Sequence, residues 1–180
     1  NNSYDYNKII SELLANYKLV ALDVGAQGGF NGNLFPKKYN KFFEPILVEP
    51  LADEAEKLKN KNHKVISKGL WSENCNKKIY FIENRPGSSS MYMPNENSFE
   101  LYDLKKNKFN LFKISHTKEV ECTTANESLK KIGISNLDFL KIDTQGAELE
   151  ILKGLGEYFP LIIKLEVQVV PMYIGVPDWS

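Results

Sequence analysis

Between Leu19 and Phe30 an apolar run, Leu19-Val20-Ala21-Leu22, meets an acid, Asp23, and then three glycines, Gly25, Gly28 and Gly29. A short apolar run bounded by glycine reads as a buried strand, and glycine allows backbone angles and close ligand approach that other residues resist. A strand end with a ligand-binding turn is therefore expected here. The spacing is not the G-x-G-x-x-G of a dinucleotide loop, and Asp23 suits hydrogen bonds from an amine or hydroxyl rather than phosphate. That chemistry favours a phosphate-free nucleoside cofactor, S-adenosylmethionine (SAM) being an example. A plain strand-to-helix turn closed by glycines is the simpler alternative.

Two other stretches repeat the pattern. Pro45-Ile46-Leu47-Val48 runs into Glu49 and Pro50, about twenty residues beyond the glycines, where an acid at a second strand's tip can grip a ribose diol. Leu137 to Ile142 ends in Asp143, followed by Gln145-Gly146. Ligands gather beyond the carboxyl ends of parallel strands, so Asp23, Glu49 and Asp143 are expected to converge there. The intervening segments supply helices. Asn7 to Lys18 carries Ile9, Ile10, Leu13, Leu14 and Tyr17 on one face, expected to cover the sheet. Residues 33–39 predict a short helix, and Ala52 to Asn60 another with Ala55 and Leu58 inward. Thr124 and Glu127 have capping-box spacing for a helix closed by Gly133, with Leu129 and Ile132 buried, and Glu148 to Lys153 continues as the last helix. Val65 to Ser72 predicts a third strand and loop, in which Trp71 either packs on an adenine or joins the core. Lys77 to Glu83 predicts an additional strand, and Leu161 to Val170 a fifth apolar run with Lys164, Glu166 and Gln168 on one alternating face.

Arg85 is the only arginine and sits in Asn84-Arg85-Pro86-Gly87-Ser88-Ser89-Ser90, either a substrate-facing loop or a surface linker. Residues 84–116 read as an irregular insertion. With 180 residues, 42% of them apolar, the chain is expected to form one domain over 1–180. Its 23 basic and 23 acidic residues cancel, which gives no electrostatic reason for nucleic acid or an anionic membrane as partner. No apolar run approaches the roughly 20 residues of a membrane span, and the Asn-rich start lacks a signal-peptide layout. A soluble cytoplasmic chain is expected. Cys75 and Cys122 lack metal-ligand spacing, so reduced thiols and no metal site are expected.

LDVGAQGG, ILVEP, LDFLKIDTQGAELEILKG and KLEVQVVPMYIGVP, in that order and spacing, resemble the FkbM family of SAM-dependent methyltransferases from Leu19 to Pro177. The resemblance implies an α/β class I methyltransferase fold: a Rossmann-like, mostly parallel twisted sheet with helices on both faces. It implies a cofactor site of Asp23, Gly25, Ala26, Gln27, Gly28 and Gly29 around the methionine portion of SAM and Glu49 on the ribose. Pro50, Leu70, Trp71 and Asp143 complete that set, Asp143 facing the methyl group and acceptor. The implied reaction is methyl transfer to a hydroxyl oxygen of a small molecule or sugar. Arg85, Ser88, Ser89, Ser90 and Gln145 are the candidates for binding that acceptor. Asp143 is the favoured base, with Glu166 or His116 as alternatives. Gln145 stands where a glutamate is usual in the family, and Gln27 where an asparagine is common. Sheets of this class normally carry two strands after the fifth, and no stretch here corresponds to them, so either the given sequence stops short of them or the sheet is curtailed. That leaves Leu161 to Val170 an edge strand, which invites self-association. A non-catalytic SAM-fold binding module and an NAD-dependent oxidoreductase are the rival expectations.

Overall fold

The computed structural model of the chain describes residues 5–26, 30, 37–95, 97–98 and 112–177. Its strands, in chain order, are β1 (Leu19–Val24), β2 (Phe43–Val48), β3 (Lys64–Ile66), β4 (Gly69–Leu70), β5 (Cys75–Ile82), β6 (Ile114–Thr123), β7 (Phe139–Ile142) and β8 (Ile162–Leu165). Its α-helices include α1 (Tyr6–Leu13), α2 (Ala52–Lys59), α3 (Ala125–Lys131) and α4 (Glu148–Lys153). One sheet has the order β3-β2-β1-β7-β8, and every neighbouring pair in it is parallel. Parallel neighbours need crossovers, which explains α2 between β2 and β3 and α4 between β7 and β8. The chain moves outward from β1 through β2 to β3, then returns to lay β7 on the other side of β1. Strand order reverses between β1 and β7, and such a switch point opens a crevice at the strands' carboxyl ends.

The apolar runs became strands because the sheet centre is covered on both faces. Val20 to Val24 are all buried along β1, as expected of a central parallel strand. The main core joins Val20, Leu22, Ile46, Leu140 and Ile142 of this sheet to Leu129 of α3, Ile151 of α4, and Ile79 and Val120 of a second sheet. Register places Asp23 beside Lys141, and Lys141 beside Lys164. A charged row thus crosses the sheet just before its strands end.

The second sheet, ordered β4-β6-β5, departs from the sequence expectation. Gly69 and Leu70 leave the third strand to pair with β6, and the stretch expected to be irregular as far as His116 enters β6 at Ile114. Seven of the ten β6 residues are exposed, which is why its composition is too polar to read as a strand. Helix α1 also differs, for it ends at Leu13 and buries none of its residues. Leu13 remains 73% exposed, and the helix is tethered by polar contacts such as Tyr39 Oη donating to Asn7 Oδ1 at 2.7 Å. Helix α2 buries Ala55 and Leu58 as expected. Helix α3 is capped by Thr124, whose side chain accepts the Glu127 N–H at 3.1 Å, but Ile132 at its end is exposed rather than buried. Strand β8 closes the sheet order, with Ile162 and Ile163 both exposed.

Candidate active site

A cavity of about 590 Å³ lies at the carboxyl ends of the parallel strands. Its walls include Gly25 and Ala26 after β1, Glu49 and Pro50 after β2, Leu70 of β4, and Ser89 and Ser90 of the loop after β5. Asp143, Gln145 and Glu166 complete it from the ends of β7 and β8. A second cavity of about 400 Å³ shares Gly87 and those last three residues and adds Arg85 and Ser88. The two cavities therefore meet at Asp143, Gln145 and Glu166.

Gly25 is required by geometry. Its φ is +82°, and a Cβ built there would lie 2.0 Å from the Asp143 carbonyl oxygen, while Asp143 N–H donates to the Val24 carbonyl at 3.0 Å. The turns after β1 and β7 thus cross with no room for a side chain. Gln27, Gly28 and Gly29 lie outside the described residues.

Glu49 is fixed at the tip of β2 by two backbone contacts. Its N–H donates to the Ile66 carbonyl at 3.0 Å, and its carboxylate accepts the Leu51 N–H at 2.9 Å. Burial raises its pKa; the Leu51 hydrogen bond opposes that, and the neighbouring Glu54 adds to it. Glu54, Lys57 and Lys61 also line the main cavity. In the sequence they are indistinguishable from the solvated face of a charged helix.

Asp23 is wholly buried and takes Lys141 Nζ at 2.9 Å, with Lys141 itself only 7% exposed. Lys141 lines the cavity while Asp23 stands behind it. Lys141 Nζ also lies 4.0 Å from Asp143 Oδ2. No sequence motif singles out Lys141, although a lysine inside the run Phe-Leu-Lys-Ile implies a buried acid beside it. Trp71 belongs to the core rather than the cavity wall. It is 6% exposed, with Lys77 Nζ 4.0 Å over its ring and Tyr92 at 5.7 Å. His116, an alternative base, stacks flat on Phe81 at 4.4 Å and bonds Ser115 instead of lining either cavity.

The loop bearing Arg85 is pinned at three serines rather than free. The Ser88 carbonyl accepts Tyr173 Oη at 2.6 Å, and Ser89 Oγ accepts the Ile82 N–H at 3.3 Å. Ser90 Oγ donates to the Gln145 carbonyl at 2.6 Å and accepts the Tyr92 N–H at 2.9 Å. Tyr173 is buried, and that burial pushes its hydroxyl up to about 12, with Arg85 opposing. Arg85 lies 5.4 Å from the Phe112 ring centre.

Gln145 adopts φ +58°. Its amide Nε2 lies 3.2 Å from Asp143 Oδ1 and 3.3 Å from Glu166 Oε1. Glu148, fully buried, accepts the Thr144 and Gly146 N–H groups at 3.1 and 3.2 Å and so secures the turn that carries Gln145. Cys75 and Cys122, distant in sequence, face each other across β5 and β6 as free thiols. Burial first, and Cys75 second, push the Cys122 thiol up to about 11. Among the described residues no group of three or more His, Cys, Asp or Glu side chains is placed to hold a metal ion.

A parallel sheet with a glycine turn after its first strand and an acid on its second defines a Rossmann-like α/β protein of the methyltransferase type. The chain belongs to the FkbM methyltransferase family, whose domain model, Methyltransferase FkbM domain, matches residues 23–179. It is also similar to Methyltransferase 1 of Beauveria bassiana (strain ARSEF 2860), at 26% identity over 103 residues that make up 56% of this chain. The match spans 41% of that relative's length. No solved structure matches the chain. Among the described residues no helix is long and apolar enough to cross a membrane.

Proposed function

We propose that the chain is a SAM-dependent O-methyltransferase acting on a hydroxyl of a small molecule or carbohydrate. The observation that carries this reading is the convergence of the Gly25 turn, the Glu49 tip and Asp143 on one cavity. The residues present fit the nucleoside. Gly25 leaves main chain bare at the cavity wall, and Glu49 spends one hydrogen bond on Leu51 yet retains acceptor capacity for a ribose diol. When bound, SAM supplies an electrophilic methyl group on a sulfonium.

The chain's own residues must then bind an acceptor and take its proton. Asp143 lines both cavities, so it can meet a hydroxyl that enters from the second one. As general base it accepts that proton as the oxygen becomes nucleophilic, with Lys141 Nζ 4.0 Å from its carboxylate. Arg85 and Ser88 form the acceptor side, and the zero formal charge of the chain suits a small acceptor better than nucleic acid.

The test is transfer of radiolabelled methyl from SAM to a panel of sugar and polyketide hydroxyls. Product carrying the label on oxygen is expected. No transfer to any hydroxyl, with transfer to amines instead, overturns the O-methyl assignment.

A further inference from the structure

Cys75 and Cys122 are far apart in sequence yet are direct register partners across the antiparallel strands β5 and β6. Opposed residues of such a pair project from the same face, with Cα atoms about 4.5 or 5.5 Å apart and Cβ atoms about 4.5–5.5 Å apart. A disulfide needs Cα atoms about 4.4–6.8 Å apart and Cβ atoms about 3.5–4.5 Å apart. The register therefore brings the two sulfurs to bridging range, and only a small closing movement remains. Cys75 can make it, because it is the first residue of β5 and β5 is an outer strand of its sheet.

The two thiols differ in access. Cys122 is 1% exposed within the main core, whereas Cys75 is only partly buried and packs against that core. Burial first, and Cys75 next, push the Cys122 thiol up to about 11, with Lys77 opposing. Cys122 is thus a protonated thiol shielded from solvent. Gly69 leaves room for its sulfur, since a Cβ there would lie 2.6 Å from Cys122 Sγ and 2.7 Å from Met91 Cε. Strand β4 packs its bare backbone on that thiol, and Gly69 and Leu70 of β4 line the main cavity.

We propose that Cys75 and Cys122 form a modification site, a dithiol that a low-molecular-weight disulfide converts into an intramolecular bridge between β5 and β6. The site stands independently of the methyl-transfer reading. Two exchanges make the bridge. The Cys75 thiolate attacks one sulfur of the reagent, forming a mixed disulfide and releasing one reagent thiol. Cys122 then gives up its proton and attacks Cys75 Sγ, forming the protein disulfide and expelling the second reagent thiolate, which takes up a proton. The cysteines lose two electrons and two protons, and the reagent gains them as two thiols. Cys75 is the entry sulfur because solvent reaches it, and Cys122 resolves because its register holds it beside the mixed disulfide. The bridge ties the outer strand to β6, which also pairs with β4, and so fastens the sheet that carries the cavity wall at Gly69 and Leu70.

The test incubates the folded wild-type chain with oxidised glutathione and reads intact mass, a peptide map and thermal unfolding. Wild type should lose the mass of two hydrogens and yield a linked pair of peptides holding Cys75 and Cys122. The bridge closes a loop of roughly 50 residues, so the unfolding midpoint should rise by about 5–15 °C and fall back when a dithiol reductant is added. Cys122→Ala should stop at a glutathione adduct on Cys75, and Cys75→Ala should stay unmodified while folded. A wild-type chain that stays reduced, ends as the glutathione adduct, or bridges only between molecules or only in urea would overturn the site. So would a bridged chain that melts no higher than the reduced one, because the native register would then not accommodate the bond. The decisive outcomes all come from wild type, so a variant that fails to fold leaves the test intact.

Discussion

Replacing Lys141 with methionine removes a charge from the centre of the sheet while keeping most of the stem's volume. Asp23 is then left at 0% exposure without the ammonium that stood 2.9 Å away. Removing one member of a buried pair costs about 3–5 kcal/mol, because the survivor has lost both water and its countercharge. No discount for solvent screening applies at this depth. The lower end is expected, about 3 kcal/mol, since Asp23 has other contacts. Against a total stability of about 5–15 kcal/mol that is a large fraction. In urea, with a slope of about 1–3 kcal/mol per molar, the midpoint should fall by about 1–3 M. Asp23→Asn in the same chain removes the stranded charge and should recover most of the loss, because replacing both members of a buried pair is often near neutral. A single variant within about 0.5 kcal/mol of wild type, the usual range for a surface substitution, would refute the claim that the pair is buried and coupled.

Gly25→Ala should lower stability by at least about 2 kcal/mol, from the left-handed backbone together with a Cβ only 2.0 Å from the Asp143 carbonyl, and thermal unfolding would read it. Asp143→Asn should keep SAM affinity while turnover drops by about 10²–10⁴-fold, and equal loss of both would make Asp143 a cofactor ligand. Arg85→Lys should raise the acceptor KM with kcat unchanged, because the charge remains and the fork is lost; unchanged KM would return the loop to a structural role. Glu49, with its folded pKa raised by burial, holds a proton more readily folded than unfolded, so its contribution to stability falls as pH rises through that window. Glu49→Gln should therefore stabilise the ligand-free chain at neutral pH, and SAM affinity in wild type should weaken on acidification as the carboxylate takes up its proton.

Strands β1, β2 and β7 were legible because each is an apolar run stopped by an acid or a glycine. The convergence of Glu49 and Asp143 followed from the carboxyl-end rule for parallel sheets. Strand β6 was not legible, because Ile114 to Thr123 carries charges on a mostly exposed surface and gives no alternation to read. The apolar face of α1 reads as a covering helix, yet periodicity shows only that a face exists and not what it meets. Asp23 lies in the same acid-before-glycine context as Asp143, but register sets it beside Lys141 and commits it to an ion pair. Such pairing is tertiary, and a single strand's residues do not contain it. The contacts of Lys141 and Gln145 needed the same information, since each reaches a residue on or just beyond a neighbouring strand.

Calorimetric titration of SAM into wild type and Glu49→Ala, with NAD as the comparison ligand, tests the cofactor assignment most directly. Wild type should bind SAM and give no heat with NAD. The variant should bind SAM more weakly by about 1.5–3 kcal/mol, roughly 10- to 150-fold, because a charged acceptor for the ribose is gone. Equal SAM affinity in the two proteins, or binding of NAD in place of SAM, would contradict the assignment.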